Sequence, residues 1–176
     1  LNTRLEIFPT WQLDDLHERN PFNLLFPVAP ELDVVALSLY PGGSPLSGPK
    51  YTPATMPANY FERVRSGIGS SQPIWVAETG YGDSALATLG TPGSPHLQRD
   101  YIAWLVGQAE SQNIQQLTWF FPADAWGVIE LAPPASQAWL GFFGPMGLRK
   151  RDLTRKPALD AWDEQLARPY TGTLPR

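Results

Sequence analysis

The sequence contains no cysteine and only two histidines, His17 and His96. The lack of cysteine excludes disulfides, cysteine-ligated zinc and thiol nucleophiles. Two histidines are too few for a metal centre that relies on several imidazole ligands. The sequence therefore predicts a protein without a metal site.

Charge and long apolar runs are scarce as well. Charged residues make up 17% of the chain, and the net charge is −4. The short basic turn at 149–151 is too small for a nucleic-acid footprint, so we expect no nucleic acid as a partner. No run of about 18 apolar residues is present, so we expect no membrane-spanning helix. No heptad pattern persists between the prolines, which excludes a coiled coil.

Proline and glycine, which interrupt regular secondary structure, and aromatic residues are abundant. The 176 residues include 19 Pro and 15 Gly, and Trp, Tyr and Phe together make up 12% of the chain. This composition is too apolar and too aromatic for an intrinsically disordered chain. The length allows one domain with a sizeable core. We expect that domain over residues 1–167 and an unstructured tail over 168–176.

Four short apolar runs predict four strands, at residues 5–12, 33–40, 73–78 and 116–121. Each run is rich in β-branched or aromatic residues and is bounded by Pro, Gly or Asp. The two middle runs are almost continuously apolar, which is typical of strands buried on both faces of a parallel sheet.

Helices are predicted between and after these strands, at residues 59–67, 96–112 and 156–166. The clearest is the second, because Ser94 and Pro95 supply a cap and a first-turn proline. The alternation of strands and helices predicts an α/β fold built from βαβ units. Two architectures fit: a small doubly wound sheet, or one half of an eight-stranded barrel. Neither GxGxxG nor GxxxxGK[ST] occurs, so no phosphate-binding loop for a nucleotide or flavin is predicted.

Three side chains lie at the ends of successive predicted strands. Tyr40 ends the second strand, Glu78 ends the third, and Trp119 lies near the end of the fourth. The carboxyl ends of parallel strands form one rim, where active sites of such folds lie. A tyrosine hydroxyl can donate a hydrogen bond to a carboxylate and orient it, and an indole offers a flat apolar wall to a sugar ring. Each residue alone is compatible with ordinary packing or solvation, but the three together favour a functional site.

Several stretches of the chain together resemble the C-terminal half of a (β/α)8-barrel retaining glycoside hydrolase. The enzymes that these stretches resemble belong to the clan of the cellulases and endo-β-1,4-galactanases, and the galactanase-like members are the most similar. The stretches are Ile-Phe-Pro-Thr-Trp-Gln-Leu at 7–13, Ser-Leu-Tyr-Pro at 38–41, Pro-Ile-Trp-Val-Ala-Glu-Thr-Gly at 73–80, Leu-Thr-Trp-Phe-Phe at 117–121 and Lys-Pro-Ala-Leu-Asp-Ala-Trp at 156–162. The resemblance implies a partial barrel that contains strands five to eight with their helices.

The resemblance also implies roles for the strand-end residues. Glu78 would be the nucleophile, Tyr40 its hydrogen-bond partner and Trp119 a wall of the sugar subsite. The acid/base glutamate of this family belongs to strand four, which the chain does not contain. A retaining enzyme needs two carboxyl groups about 5–5.5 Å apart, and none of the acidic residues in the loops after the predicted strands matches the second position. Those residues are Asp14, Asp15, Asp83, Asp124 and Glu130.

Other polar and aromatic residues are candidates for sugar contacts. Gln12 ends the first strand, and Asp124 could bind a sugar hydroxyl, although a turn-forming role in its loop fits better. Tyr81, Trp126 and Trp139 are possible stacking platforms or structural aromatics.

We therefore expect a glycoside hydrolase of polysaccharides or oligosaccharides that needs no cofactor. The alternative is a non-catalytic carbohydrate-binding or scaffold protein on the same barrel. The chain starts at Leu1 with no signal-peptide pattern. Together with the resemblance, this leads us to expect the missing N-terminal half of the barrel upstream, and an isolated chain that is inactive. The resemblance also suggests an extracellular or periplasmic location.

Overall fold

The sheet contains four parallel strands in consecutive order. A computed structural model describes residues 10–13, 16, 22–43 and 50–168. The strands are β1 (Thr10–Gln12), β2 (Val35–Leu39), β3 (Ile74–Thr79) and β4 (Ile114–Trp119), and each pairs with the next along the chain. A doubly wound sheet reverses its strand order at a switch point, whereas a barrel adds strands consecutively. Among the two architectures that the sequence allows, the order therefore favours the partial barrel.

Helices follow or precede each of these strands. The α-helices are α1 (Phe22–Leu25), α2 (Glu62–Ile68), α3 (Pro95–Gln112), α4 (Trp126–Ile129), α5 (Pro134–Leu140) and α6 (Pro157–Leu166). Short 3-10 helices lie at Ala29–Glu31, Pro53–Thr55, Ala87–Leu89 and Gly141–Met146. Within the described residues, no helix has both the length and the apolar character that crossing a bilayer requires.

The best-defined helix, α3, confirms its prediction almost to the residue. The Ser94 side chain accepts a hydrogen bond from the backbone N–H of Leu97 at 3.1 Å, and Pro95 opens the first turn. The helix ends at Asn113, whose φ of 52° is in the left-handed region. Because this residue turns the chain sharply, Ile114 enters the sheet at once, and β4 starts two residues earlier than predicted.

The structure agrees less closely with the other predicted helices and strands. Helix α6 starts at Pro157, one residue after its predicted start, and Lys156 occupies the cap position. The 4-residue helices α1 and α4, the 7-residue helix α5 and the 3-10 segment Gly141–Met146 were not predicted. Residues 5–9 of the first predicted strand and residues 169–176 of the predicted tail lie outside the described residues.

The main core lies between the sheet and the helices α3 and α6. Leu37, Leu39 and Val76 of the sheet are fully buried there, together with Tyr101 and Leu105 of α3. Alternate residues of a strand point to opposite faces. The residues between these core positions therefore lie on the other face of the sheet, which is the face that carries Glu78.

Candidate active site

An irregularity in β3 sets the direction of Glu78. Leu37 of β2 pairs with Val76, but the next residue, Ser38, pairs with Glu78, so β3 has one extra residue at this point. Val76 and Thr79 are both fully buried in the helix-side core although they are three residues apart. A bulge of this kind shifts the alternation of side chains and bends the strand. Here it lets Thr79 return to the core while Glu78 points to the opposite face.

The central contact of the site joins Tyr40 and Glu78. The Tyr40 hydroxyl donates a short hydrogen bond to Oε1 of the half-buried Glu78. Tyr40 directly follows β2, and its ring meets the rings of Phe142 and Phe143 edge-on, each with centroids 5.6 Å apart. This packing holds the phenol in place, so the carboxylate has a preorganised donor at the carboxyl end of the sheet.

Gly80 provides the space that this arrangement needs. A Cβ at Gly80 would lie 2.8 Å from Sδ of Met146 and 3.4 Å from Cε1 of Tyr40. The first distance is shorter than normal van der Waals contact, so a side chain at this position would displace Met146. The glycine two residues after Glu78 therefore allows the loop to pack closely over the Tyr40 ring.

Thr79 anchors the strand beside Glu78. Its hydroxyl donates to the backbone oxygen of Leu39 at 2.9 Å and shares a hydrogen bond of 2.6 Å with the Tyr101 hydroxyl on α3. The Thr79 carbonyl accepts from the Phe120 N–H at 2.8 Å. These bonds tie the end of β3 to both neighbouring strands and to a helix, which restricts the movement of the adjacent carboxylate.

Gln12 lies in the same row of the sheet as Glu78. It pairs with Ser38, which in turn pairs with Glu78, so the three residues are register neighbours across β1, β2 and β3. Neighbouring strands are about 4.8 Å apart, and Gln12 is thus two strand spacings from the carboxylate. Sequence reasoning missed Ser38, whose signal was its position in β2, two residues before Tyr40.

Trp119 does not line the rim, which corrects the sequence expectation. Its side chain is 9% exposed, its Nε1 donates to the Met146 carbonyl at 2.8 Å, and its ring packs on Tyr101 and Trp162 of the helix layer. The next residue, Phe120, points the other way, is 38% exposed and meets the Tyr40 ring edge-on at 6.3 Å. Phe120 therefore occupies the place beside Tyr40 and Glu78 that was expected for the indole.

Tyr81 is also a core residue and not an open platform. It is 1% exposed, its ring lies 5.2 Å from that of Tyr101, and its hydroxyl donates to the Tyr51 carbonyl at 3.0 Å. Burial raises the pKa of Tyr81 to about 12. The side chain therefore stays neutral and packs, and the expected stacking on a sugar ring is corrected.

Asp124 belongs to a buried ion-pair cluster and not to a sugar subsite. Lys156 Nζ lies 2.5 Å from Asp124 Oδ1 and 3.0 Å from Asp83 Oδ2, and the lysine side chain is 1% exposed. Asp124 Oδ1 also accepts from the Gly147 N–H at 3.1 Å. Burial raises the pKa of Asp124, and Lys156 opposes that shift. The cluster joins the loops after β3 and β4 to the start of α6.

The remaining candidates are Trp126 and Glu130 in the loop after β4, and Asp14 and Asp15 after β1. Trp126 begins α4, and its ring covers Gly144, where an added Cβ would come within 2.5 Å of the indole. Glu130 is exposed and pairs with Arg151 at 2.6 Å. Asp14 and Asp15 lie outside the described residues. Among the residues that the structure describes, no group of three or more His, Cys, Asp or Glu is placed to hold a metal ion.

Comparison with known proteins finds similarity in structure and none in sequence. No protein-family model and no curated protein matches the chain. A β-glucuronidase of Faecalibacterium prausnitzii aligns with 82% of this chain at 19% identity and a TM-score of 0.57. A β-glucuronidase of Ruminococcus gnavus in complex with D-glucuronic acid aligns with 91% at 15% identity and a TM-score of 0.57. A glycoside hydrolase family 17 β-1,3-glucanosyltransferase of Rhizomucor miehei aligns with 88% at 16% identity and a TM-score of 0.54.

These likenesses extend over only part of the other proteins. The chain covers 23% of the F. prausnitzii enzyme, 26% of the R. gnavus enzyme and 49% of the R. miehei enzyme. At such low identity the similarity concerns the fold alone. Together with the consecutive parallel strands, it shows that the chain has the α/β fold of a partial (β/α)8 barrel.

Proposed function

We propose that this chain is the nucleophile-bearing half of a retaining glycoside hydrolase, with Glu78 as the nucleophile. The observation that carries the proposal is the hydrogen bond from the Tyr40 hydroxyl to Glu78 Oε1 at the carboxyl ends of adjacent strands. A donor held by packed rings orients one carboxylate oxygen and leaves the other for attack. Positioning of this kind is a large part of what an active site contributes to catalysis.

The chemistry requires a second carboxyl group. Glu78 attacks the anomeric carbon, the bond to the leaving oxygen breaks, and a general acid protonates that oxygen. Water then cleaves the glycosyl–enzyme ester, and the deprotonated acid accepts a proton from that water. Asp83, Asp124 and Glu130 are committed to ion pairs with Lys156 and Arg151. The resemblance to retaining glycoside hydrolases implies an acid/base on strand four, which we propose lies in the N-terminal half of the barrel.

Two observations support a missing half. The structural neighbours extend well beyond the region that this chain matches, as the covered shares of 23% and 49% show. The face of the sheet that carries Glu78 also bears polar side chains from all four strands, which suits the interior of an active-site barrel. They include Gln12, Ser38, Gln116 and Thr118. Without its partner half, the chain is expected to be catalytically inactive.

The substrate is proposed to be a polysaccharide or oligosaccharide. One of the similar structures is a complex with D-glucuronic acid and another is a complex with laminaritriose, and both ligands are carbohydrates. We propose membership of the clan of cellulases and endo-β-1,4-galactanases, and that resemblance alone suggests an extracellular or periplasmic location. Gln12 is proposed to bind a sugar hydroxyl from its position in the Glu78 row, and a sugar contact of Trp126 remains a prediction.

The test is a substitution of Glu78 in the complete barrel. Glu78→Gln keeps the side-chain shape and removes the nucleophilic charge, so hydrolysis of an aryl glycoside should fall by orders of magnitude while sugar binding survives. Azide should restore part of the activity of Glu78→Gly, because a small anion can enter the vacated space. Glu62→Gln on the exposed side of α2 is the matched control and should keep the wild-type rate. A wild-type rate for Glu78→Gln would contradict the proposal.

A further inference from the structure

Three buried side chains donate hydrogen bonds to three consecutive carbonyl groups, those of residues 145–147. Lys156 Nζ donates to the first at 3.3 Å, Trp119 Nε1 to the second at 2.8 Å and Gln98 Nε2 to the third at 3.1 Å. We call these three donors the carbonyl clamp. They come from the cap of α6, the end of β4 and the first turn of α3. A buried carbonyl without a donor is costly, so the clamp fixes the position of this segment.

Two members of the clamp also reach the loop after β3. Gln98 is fully buried, and its Nε2 donates to the Tyr81 carbonyl at 2.8 Å as well. Lys156 Nζ lies 3.0 Å from Asp83 Oδ2, and the Asp83 N–H donates to the Pro145 carbonyl at 3.1 Å. The loop that follows β3 is therefore tied to the clamped segment by one neutral and one charged side chain.

The clamped segment supports the ring of Tyr40. Met146 is 2% exposed and belongs to the same buried apolar cluster as Tyr40 and Phe142. Phe142 and Phe143 lie in the 3-10 segment that ends at Met146, and both meet the Tyr40 ring edge-on. The Tyr40 hydroxyl in turn donates to Glu78. A shift of the clamped segment would therefore move the phenol and, with it, the hydrogen-bond donor of the carboxylate.

We propose that Lys156 and Gln98 are positioning residues for Glu78, which act through the support of Tyr40. The inference rests on the proposed function and concerns the same site. A buried ammonium group needs partners in a defined geometry, so Lys156 allows one arrangement of the two loops. Gln98 does the same without charge, because its amide N–H groups serve two carbonyls from different loops. Both residues thus preorganise the donor of the nucleophile from outside the sheet.

The experiment measures steady-state hydrolysis of an aryl glycoside by the complete barrel. Lys156→Met and Gln98→Met are assayed alone and combined with Tyr40→Phe, at a temperature below the thermal transition of each variant. Each substitution alone should lower kcat by about three- to tenfold, because a displacement of about 1 Å can cost up to about 100-fold. KM should change little, since the donor acts on the nucleophile in the transition state. In the Tyr40→Phe background the further loss should be below about twofold, because the bond that transmits the displacement is already absent.

Arg65→Met is the matched control. The Arg65 guanidinium donates to the carbonyls of Gln72 and Gln112 at 2.6 Å each, next to the amino ends of β3 and β4. Its removal also leaves backbone carbonyls without a donor, so the thermal transition should fall as well. This end of the sheet lies opposite the site, and kcat should therefore stay at the wild-type value.

The outcomes separate this inference from the proposed function. A loss of kcat that disappears in the Tyr40→Phe background supports the inference. Equal losses in both backgrounds, a wild-type kcat for either folded clamp variant, or the same loss for Arg65→Met overturn it. Gln98→Met keeps an unbranched side chain and leaves no charge unpaired, so it decides the outcome if Lys156→Met does not fold. If Glu78→Gln keeps the wild-type rate, the proposed function fails and the inference with it. If Glu78→Gln and Tyr40→Phe are slow while the clamp variants are not, only the inference fails.

Discussion

Tyr40→Phe tests the link between the packing of the loops and the reactivity of Glu78. The substitution removes one oxygen atom and keeps the ring, so the edge contacts with Phe120, Phe142 and Phe143 survive. What is lost is the hydrogen bond to Glu78 Oε1. A hydrogen bond to a charged acceptor contributes about 1.5–3 kcal/mol.

The expected effect on rate follows from that range. At about 1.4 kcal/mol for each tenfold change, kcat should fall by about 10- to 100-fold. Glu78 is half-buried, so water can replace part of the lost bond, and we expect a value nearer to tenfold. The fall should be smaller than that of Glu78→Gln, because the nucleophile itself remains.

The assay is steady-state hydrolysis of an aryl glycoside by the complete protein. Tyr81→Phe is the matched control, because it also removes one buried phenol oxygen, which donates to Tyr51 and does not touch Glu78. It should lower stability and leave kcat unchanged. If Tyr40→Phe kept the wild-type kcat, the hydrogen bond would have no part in catalysis, and the assignment of Glu78 would lose its main support.

Two further predictions concern stability and association. Lys156→Met leaves two carboxylates, Asp83 and Asp124, without their buried cation, so the free energy of unfolding should fall by about 3–5 kcal/mol in urea titrations. The neighbouring Arg155→Met removes only exposed pairs with Asp160 and Asp163 and should change it little; equal effects of the two substitutions would refute the structural role of the cluster. Expressed alone, the 176-residue chain should self-associate in sedimentation velocity, because β1 and β4 are the edges of the sheet. A monomer with a sharp thermal transition would argue against the half-barrel interpretation.

Local sequence signals were sufficient for the strands and for the helices α2, α3 and α6. The β-branched and aromatic runs located β2 and β3 to within two residues at each end. Ser94 and Pro95 located the start of α3, because capping and proline geometry act over only a few residues. The alternation of strands and helices predicted the parallel α/β sheet, because parallel strands need a crossover connection. The pair Tyr40 and Glu78 was predicted as well, since both residues come at strand ends.

The sequence alone could not decide which side of a strand faces the site. Alternation has a period of two residues, but its phase depends on the register with neighbouring strands, and the bulge in β3 changes that phase between Val76 and Thr79. For this reason Trp119 and Phe120 were equivalent as a sequence pattern, and only the packing of Trp119 on α3 and α6 separated them.

The ion pair of Asp124 and the contacts among the aromatic side chains after β4 also depended on tertiary structure. Lys156 is 32 residues from Asp124 in sequence, and no local signal connects the two. Phe120 and Phe143 come into contact because the short helices after β4 fold back onto the strand end. The sequence by itself thus determined the strands, the helices α2, α3 and α6, their order and the carboxylate at a strand end, because these depend on short-range preferences. Only the tertiary structure decided which side chains share a face, because that depends on register and on the packing of distant segments.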